Sequence, residues 1–293
     1  MKLHFIVVNY NSGRWLDKAV ASVIAHANSF DWRLTVVDNA SVDDSMAFAR
    51  NSNPDSRIDW VFNRDHIGFA AANNQILSKT QADYVVLMNP DCELKQNSIN
   101  RIVSALDERG DWGIAGCKIV NEDGSLQSTC RRRFPTPWSA LVRMLLLDKV
   151  FRENKKFQNF DYGDSVDEDE KPHVVEAISG AFMVVRETAL REVGLLDEGY
   201  FMHCEDLDWC KRFSESSWKV GFVPSAVIEH AKGVSSKSRP IGVLWTLHKG
   251  MNRFFDKFYR NTYSWPIRYA VKIGIWTSFF LRAGLSYARG VLK

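Results

Sequence analysis

The chain of 293 residues has neither a GxGxxG turn nor a GxxxxGK[ST] loop; its first apolar run is followed by Asn9-Tyr10-Asn11-Ser12-Gly13. A dinucleotide oxidoreductase and a P-loop enzyme are therefore disfavoured, because both need glycines there for the backbone to approach phosphate. Cysteine is scarce and unpaired in spacing. Cys92, Cys117, Cys130, Cys204 and Cys210 make an odd number without CxxC, which argues against a disulfide framework and a structural zinc, and fits a reducing cytoplasm. The net charge is only +3, so no nucleic-acid partner is implied. The opening MKLHFIVVNYNS has too short an apolar core for a signal peptide and breaks at Asn9; it reads as a strand.

What is present is enough to bury a full core: 45% hydrophobic and 25% charged residues suit one large α/β domain with an appendage. Apolar, β-branched runs predict strands over residues 3–8, 33–37, 58–62, 84–88 and 113–120. Helical spacing predicts helices between them, over residues 14–27, 41–49, 68–77 and 98–106. Ser41, with Asp44 three residues on, is expected to cap the second of these. Such repeated βαβ units give a doubly wound, mainly parallel sheet. Asp123-Gly124 predicts a chain reversal between Ile119 and Leu126. A helix is expected over 138–150 and a loop over 152–171, either solvated or a lid. Further strands are expected over 174–178, 181–185 and 219–228, with Pro224 marking an edge or a bulge.

Several strands end in polar residues that can face one crevice, the place where open α/β sheets bind ligands: Asn9, Asp38, Asn63, and Asn89 with Asp91. A carboxylate with an oxygen-donating Asn two residues earlier suits a hard cation bridging phosphates, although Pro90-Asp91 can equally end a strand and cap a helix. Asp38 can accept from a pyrimidine or ribose, or simply shape a turn. Arg131-Arg132-Arg133 can neutralise a diphosphate or meet an anionic acceptor, or form a solvated basic turn. Gly180 permits close backbone approach. Glu205, Asp206 and Asp208 crowd three carboxylates beside Phe201, Leu207 and Trp209, so one of them should have a raised pKa suited to proton abstraction; the alternative is a helix start favoured by its dipole. Glu205 and Trp209, with Arg131 and Arg133, are expected on the acceptor side. His230 adds a further possible donor to a metal.

Taken in order, FIVVNYNS, VVDNAS, NRDHIGFAAANN, LMNPDCEL, ISGAFMVVRETALREVGLLDEGYFMHCEDLDWCKR and VIEH resemble a family 2 glycosyltransferase of the GT-A fold over residues 1–235. The resemblance implies a nucleotide-sugar half over residues 1–120 and an acceptor half over 121–235. It implies that Asp38 reads the nucleotide and that Asn89 and Asp91 stand at the family's Asp-x-Asp motif, with Mg²⁺ or Mn²⁺ as cofactor. Asp206 would be the catalytic base and His230 would help hold the metal, while Gly68, Asn73 and Gly180 match positions lining the donor site. Asn89 departs from the usual Asp, as in sequences resembling bacterial rhamnosyltransferases, which points to dTDP-L-rhamnose over a UDP-sugar donor. The implied reaction is inverting. A nucleotidyltransferase is the alternative enzyme, but a Gly-rich loop with a cation is missing after the first strand; a non-catalytic membrane-tethered sugar-binding protein leaves Asn89, Asp91, Asp206 and His230 unexplained.

Residues 236–293 fall outside these motifs. Ile241, Leu244, Trp245, His248, Met251, Phe255, Phe258 and Tyr259 share a helical face opposite Lys249, Arg253, Lys257 and Arg260, and Trp265-Pro266 breaks the pattern. Beyond it, too many cations interrupt the apolar residues for a spanning helix, which needs about 20 mostly apolar residues. Basic amphipathic helices on an anionic membrane surface are expected, peripheral on the inner face of the cytoplasmic membrane. A polyprenyl-diphosphate-linked sugar would then be the acceptor in assembly of a cell-surface glycan. A helical cap on the catalytic domain or a homodimer contact is the alternative.

Overall fold

The computed structural model describes residues 1–144, 171–231 and 240–291. Strands β1 (Lys2–Asn9), β2 (Asp31–Asp38), β3 (Ile58–Phe62) and β4 (Tyr84–Met88) alternate with helices α1 (Trp15–His26), α2 (Ser45–Ser52) and α3 (Phe69–Leu77). These strands pair in parallel in the order β3-β2-β1-β4. The continuous apolar run of β4 is explained by helices covering both faces of the sheet: every residue of it is buried. Such burial contributes about 1.5–3 kcal/mol for each large apolar side chain.

The chain continues through β5 (Cys92–Leu94), α4 (Ser98–Glu108) and β6 (Trp112–Val120), then turns at Asp123-Gly124, where Gly124 has φ +80°. Asn121 N–H donates to the Ser125 carbonyl and Val120 bridges Leu126, so the expected reversal is present. After β7 (Arg131–Arg132) and α5 (Pro137–Met144) come β8 (His173–Val174), β9 (Ala177–Ile178), β10 (Phe182–Arg186), α6 (Glu187–Val193), α7 (Glu205–Glu215) and β11 (Lys219–His230). The rest of the helix expected over 138–150, and residues 152–170 of the loop expected after it, lie outside the described residues.

β10 inserts antiparallel between β4 and β6, and β11 follows parallel to β6. The central sheet is thus mostly parallel, with β10 and the short β5 and β8 running the other way. β11 leaves register with β6 between Val223 and Val227. Pro224 lies in that bulge, where its missing N–H costs no ladder bond.

Two C-terminal helices complete the structure, α8 (Pro240–Tyr259) and α9 (Trp265–Val291). α8 does not lie apart from the catalytic domain: Phe254 is buried in the main core and its ring stacks 6.4 Å from that of Phe134. α9 packs on the other side of α8 through Trp276 and Phe279 against Trp245, at 5.1 and 5.5 Å between ring centroids.

Candidate active site

The parallel register fixes where the strand-end residues lie. Asn9 pairs with Asp38, Asp38 with Phe62, and Val7 with Met88, so the carboxyl ends of β1 to β4 open on one edge. Within it, Asn9 is fully enclosed. Its Nδ2 donates to Asp38, Ser41 and Ser45, and its Oδ1 accepts from Ser12. Asn9 therefore organises the loop after β2. Ser41 is drawn into this network, also accepting from Asn11 N–H, so α2 begins at Ser45 without a Ser41 cap. Asp38 receives Asn9 Nδ2 at 2.9 Å and Ser41 N–H at 3.2 Å, one bond on each oxygen.

Asn39 was not singled out by the sequence, yet it holds the next loop. It donates to the Gly68 carbonyl and accepts from Ile67 N–H and Asn63 Nδ2. Asn63 is half-buried and also accepts from Gln75. Gly68 and Asn73 both pack against protein. A Cβ on Gly68, at φ +88°, would lie 2.6 Å from the Phe201 carbonyl oxygen. Asn73, nearly fully buried, donates to the Phe69 carbonyl one turn back in α3.

Asp91 and His230 are brought together by the β5–β11 ladder, in which His230 pairs with Cys92 and Ala231 N–H donates to the Asp91 carbonyl. His230 Nε2 stands 3.2 Å from Asp91 Oδ1. The hydrogen bonds of Gln127 decide what that contact is. Gln127 Nε2 donates to two carbonyl-type oxygens, on His230 and Asn121, each at 2.8 Å, which fixes its amide orientation. Its Oε1 therefore faces His230 Nδ1, 3.1 Å away, and Nδ1 must carry the proton. In the neutral ring the Nε2 lone pair then points at a carboxylate oxygen. A proton on Nε2 or a metal ion satisfies that contact equally, and the carboxylate and imidazole together make a donor set that fits a divalent metal. Asn89 lies two residues before Asp91. Cys92 completes a three-residue cluster with Asp91 and His230, but burial pushes its thiol well above the ordinary range, and a neutral thiol is a poor ligand for a hard cation.

Asp206 lies in the first turn of α7. Its Oδ2 accepts from Gly180 N–H at 2.9 Å and from Arg132, and its Oδ1 accepts from Leu207 N–H at 2.8 Å. Gly180 is needed because a Cβ there would sit 3.0 Å from Asp206 Cβ; the close approach is made by the carboxylate. Burial alone would raise the Asp206 pKa, but Arg132 and the two backbone N–H groups hold it below the usual carboxylate range. Glu205 goes the other way. Burial, then the neighbouring Asp206 charge, push it up to about 8, so at neutral pH it is largely a protonated donor, with Oε2 buried and unpartnered among the described residues. One of the crowded carboxylates is raised, as the spacing suggested, but it is Glu205; Asp206, the residue the resemblance names as base, is lowered.

Asp206 and the strand-end motif are joined through two residues. Asn89 N–H donates to the Ala181 carbonyl at 2.9 Å, while the adjoining Gly180 holds Asp206. Asp208, by contrast, is fully buried and paired with Arg212 and Lys257.

Of the arginine triplet, Arg132 is the one that meets Asp206. Arg131 is buried, lies 2.7 Å from His173 Nε2 and stacks on Phe222; Arg133 is half-buried on the following loop. Trp209 lies inside the core. It is fully buried, donates to the Gly194 carbonyl at 2.9 Å and packs edge-on to Phe213.

This fold, with Asp91 and His230 paired at the strand ends and the enclosed carboxylate of Asp206 linked to them through Gly180 and Ala181, is that of a GT-A glycosyltransferase. The chain belongs to glycosyl transferase family 2, whose model matches residues 4–194. It is 24% identical over 302 residues to the N-acetylglucosaminyl-diphospho-decaprenol L-rhamnosyltransferase of Mycobacterium tuberculosis, covering 98% of this chain and 95% of that protein. To the rhamnosyltransferase WbbL of Escherichia coli it is 24% identical over 230 residues, covering 76% and 81%. Among solved structures, the mannosyltransferase PcManGT of Pyrobaculum calidifontis in complex with GDP-Man and Mn²⁺ matches with TM-score 0.58 and 16% identity over 95% of this chain and 69% of that one. GalNAc-T7 with UDP, GalNAc and Mn²⁺ matches with TM-score 0.57 and 17% identity, over 78% of this chain and 44% of that one. These two likenesses bear on the fold.

Proposed function

We propose that the enzyme transfers L-rhamnose from dTDP-L-rhamnose, with inversion, to a polyprenyl-diphosphate-linked glycan acceptor in cell-surface polysaccharide assembly. The observation that carries the mechanism is the short link from Asn89 through Ala181 and Gly180 to Asp206, which sets the base beside the donor motif. The rhamnosyl donor and the lipid-linked acceptor are supported by the names of the two relatives above.

A carboxylate offers about four lone-pair sites, and three on Asp206 are taken by Gly180, Leu207 and Arg132. One site on Oδ1 is left to accept the proton of an acceptor hydroxyl. That hydroxyl oxygen attacks the anomeric carbon as the bond to the nucleoside diphosphate breaks from the opposite face. Glu205, held neutral, supplies a hydrogen-bond donor on the acceptor side, and Asp38 stands where the nucleotide is read. Asp91 and His230, with Asn89, would hold Mg²⁺ or Mn²⁺, which when bound stabilises negative charge on the leaving diphosphate.

The donor is tested by thermal shift of the purified protein with Mn²⁺ or with EDTA, since a ligand that binds only the native state raises Tm. dTDP and dTDP-rhamnose are expected to stabilise it more than UDP or GDP ligands, and only with metal. A preference for UDP ligands would discard rhamnose and keep the mechanism.

Attachment to the membrane falls to α9. Trp265, Ile273, Phe280 and Tyr287 are 70%, 66%, 68% and 68% exposed, and at about 100° per residue they share one face. Arg268 and Arg282 lie off that face, and Lys272, at its edge, is paired with Asp256 of α8. None of the described helices is long and apolar enough to cross a membrane, so α9 would lie in the anionic surface with its apolar side down, on the inner face of the cytoplasmic membrane. Removing residues 263–293 should abolish cosedimentation with anionic liposomes. Unchanged pelleting would refute the attachment.

A further inference from the structure

We infer that α8 is a positioning element of the catalytic centre: Gly250, Arg253 and Lys257 clamp the segment 197–204 and so fix where Asp206 stands. The inference rests on the reading of Asp206 as the base. The segment launches α7 through two consecutive left-handed residues without glycine, His203 at φ 72° and Cys204 at φ 71°. Such residues are strained and persist only where the surroundings over-determine them. Those surroundings are a clamp with two jaws.

On one side, the amino end of α3 receives the segment: Phe69 N–H donates to the Phe201 carbonyl at 2.8 Å, against the bare face of Gly68. On the other side stands α8. Gly250 lies within that helix, where glycine is less favourable than alanine, and its position shows why it is there. A Cβ would lie 2.8 Å from the His203 carbonyl oxygen and 3.3 Å from Cys204 Sγ.

Charge then locks the contact. Arg253 and Lys257 both donate to Asp197, at 2.8 and 2.7 Å, and Lys257 also stands 2.7 Å from the fully buried Asp208. Burial would raise the Asp197 pKa, but the Lys257 and Arg253 hydrogen bonds hold it down at about 2. Arg253 further lies over the Tyr200 ring, 5.3 Å from its centroid. Lys257 thus touches both ends of the base-bearing stretch, before it at Asp197 and within α7 at Asp208.

The test is steady-state kinetics on the full chain carrying Gly250→Ala, Lys257→Met or Lys257→Arg, with donor KM, far-UV circular dichroism and nucleotide-induced Tm shift as companions. Misplacing a reacting group by about 1 Å can cost about a hundredfold. Gly250→Ala and Lys257→Met should therefore lower kcat at least about tenfold with donor KM within about twofold, and Lys257→Arg should recover most of it. Folded Gly250→Ala and Lys257→Met proteins with wild-type kcat would overturn the inference while leaving the base assignment intact. If Gly250→Ala fails to fold, the two Lys257 variants decide alone, since that side chain is a third exposed and loses its charge without a clash. Turnover retained by Asp206→Asn would overturn the base reading and this inference together.

Discussion

Asp206→Asn is expected to lower turnover at least about a hundredfold, the ordinary contribution of a positioned general base, equivalent to about 2.7 kcal/mol of transition-state stabilisation. Donor binding should survive, because the Asn9–Asp38 network and the Asp91–His230 pair do not include Asp206. The amide keeps the shape but cannot take up the acceptor proton. A variant with more than about a tenth of wild-type turnover would exclude the base role, given that magnitude.

The pH profile adds an independent check. Asp206 is ionised down to an unusually low pH because Arg132 and two N–H groups stabilise its charge against the opposing effect of burial. The acidic limb of kcat should therefore fall below the ordinary carboxylate range. Arg132→Met should move that limb upward, since the guanidinium that favours the charged form is gone.

The second large effect concerns the metal set. Asp91→Ala should abolish the Mn²⁺-dependent stabilisation by nucleoside diphosphate, and His230→Ala should weaken it strongly. The sharper variant is Gln127→Met. Gln127 offers no ligand atom to the site, yet its Oε1 holds the His230 proton on Nδ1 and leaves Nε2 free for a cation. Losing such an orienting partner commonly costs about 10–100-fold in metal affinity. Titration of the Tm shift against Mn²⁺ reads this directly. Wild-type metal affinity in Gln127→Met would show that the ring needs no such orientation.

Much of this was legible in the chain. The parallel strands are written as unbroken apolar runs because helices cover both sheet faces, and β4 is buried throughout. The end of each strand was therefore visible, and with it Asp38, Asn89 and Asp91. What failed was the choice between neighbours. Arg131 and Arg132 alternate sides along a strand, and nothing local says which side holds the carboxylate; the answer lies at Asp206, 74 residues on. The internal partners of Asn9 and Gly68, which are Ser41, Ser45 and the Phe201 carbonyl, are equally distant in sequence and have no local signal.

Trp209 had a usable signal. Its spacing to Phe213 puts both on one helix face, and that face is the buried one. The tail was misjudged for a different reason. A helical stripe of Arg253 and Lys257 looks the same whether it faces water, lipid phosphate or protein carboxylates, and here its partners are Asp197 and Asp208. Only tertiary packing separates α8, docked on the core, from α9, whose apolar side is open.

The measurement that tests the central claim most directly is transfer itself. The protein is incubated with dTDP-L-rhamnose, Mn²⁺ and a polyprenyl-diphosphate-linked N-acetylglucosamine, following released nucleotide and glycosylated lipid together. The expected result is one dTDP for each rhamnosyl lipid formed, with inverted anomeric configuration, and neither in EDTA nor with Asp206→Asn. Retained configuration, or undiminished transfer by Asp206→Asn, would contradict the assignment of that carboxylate as the base.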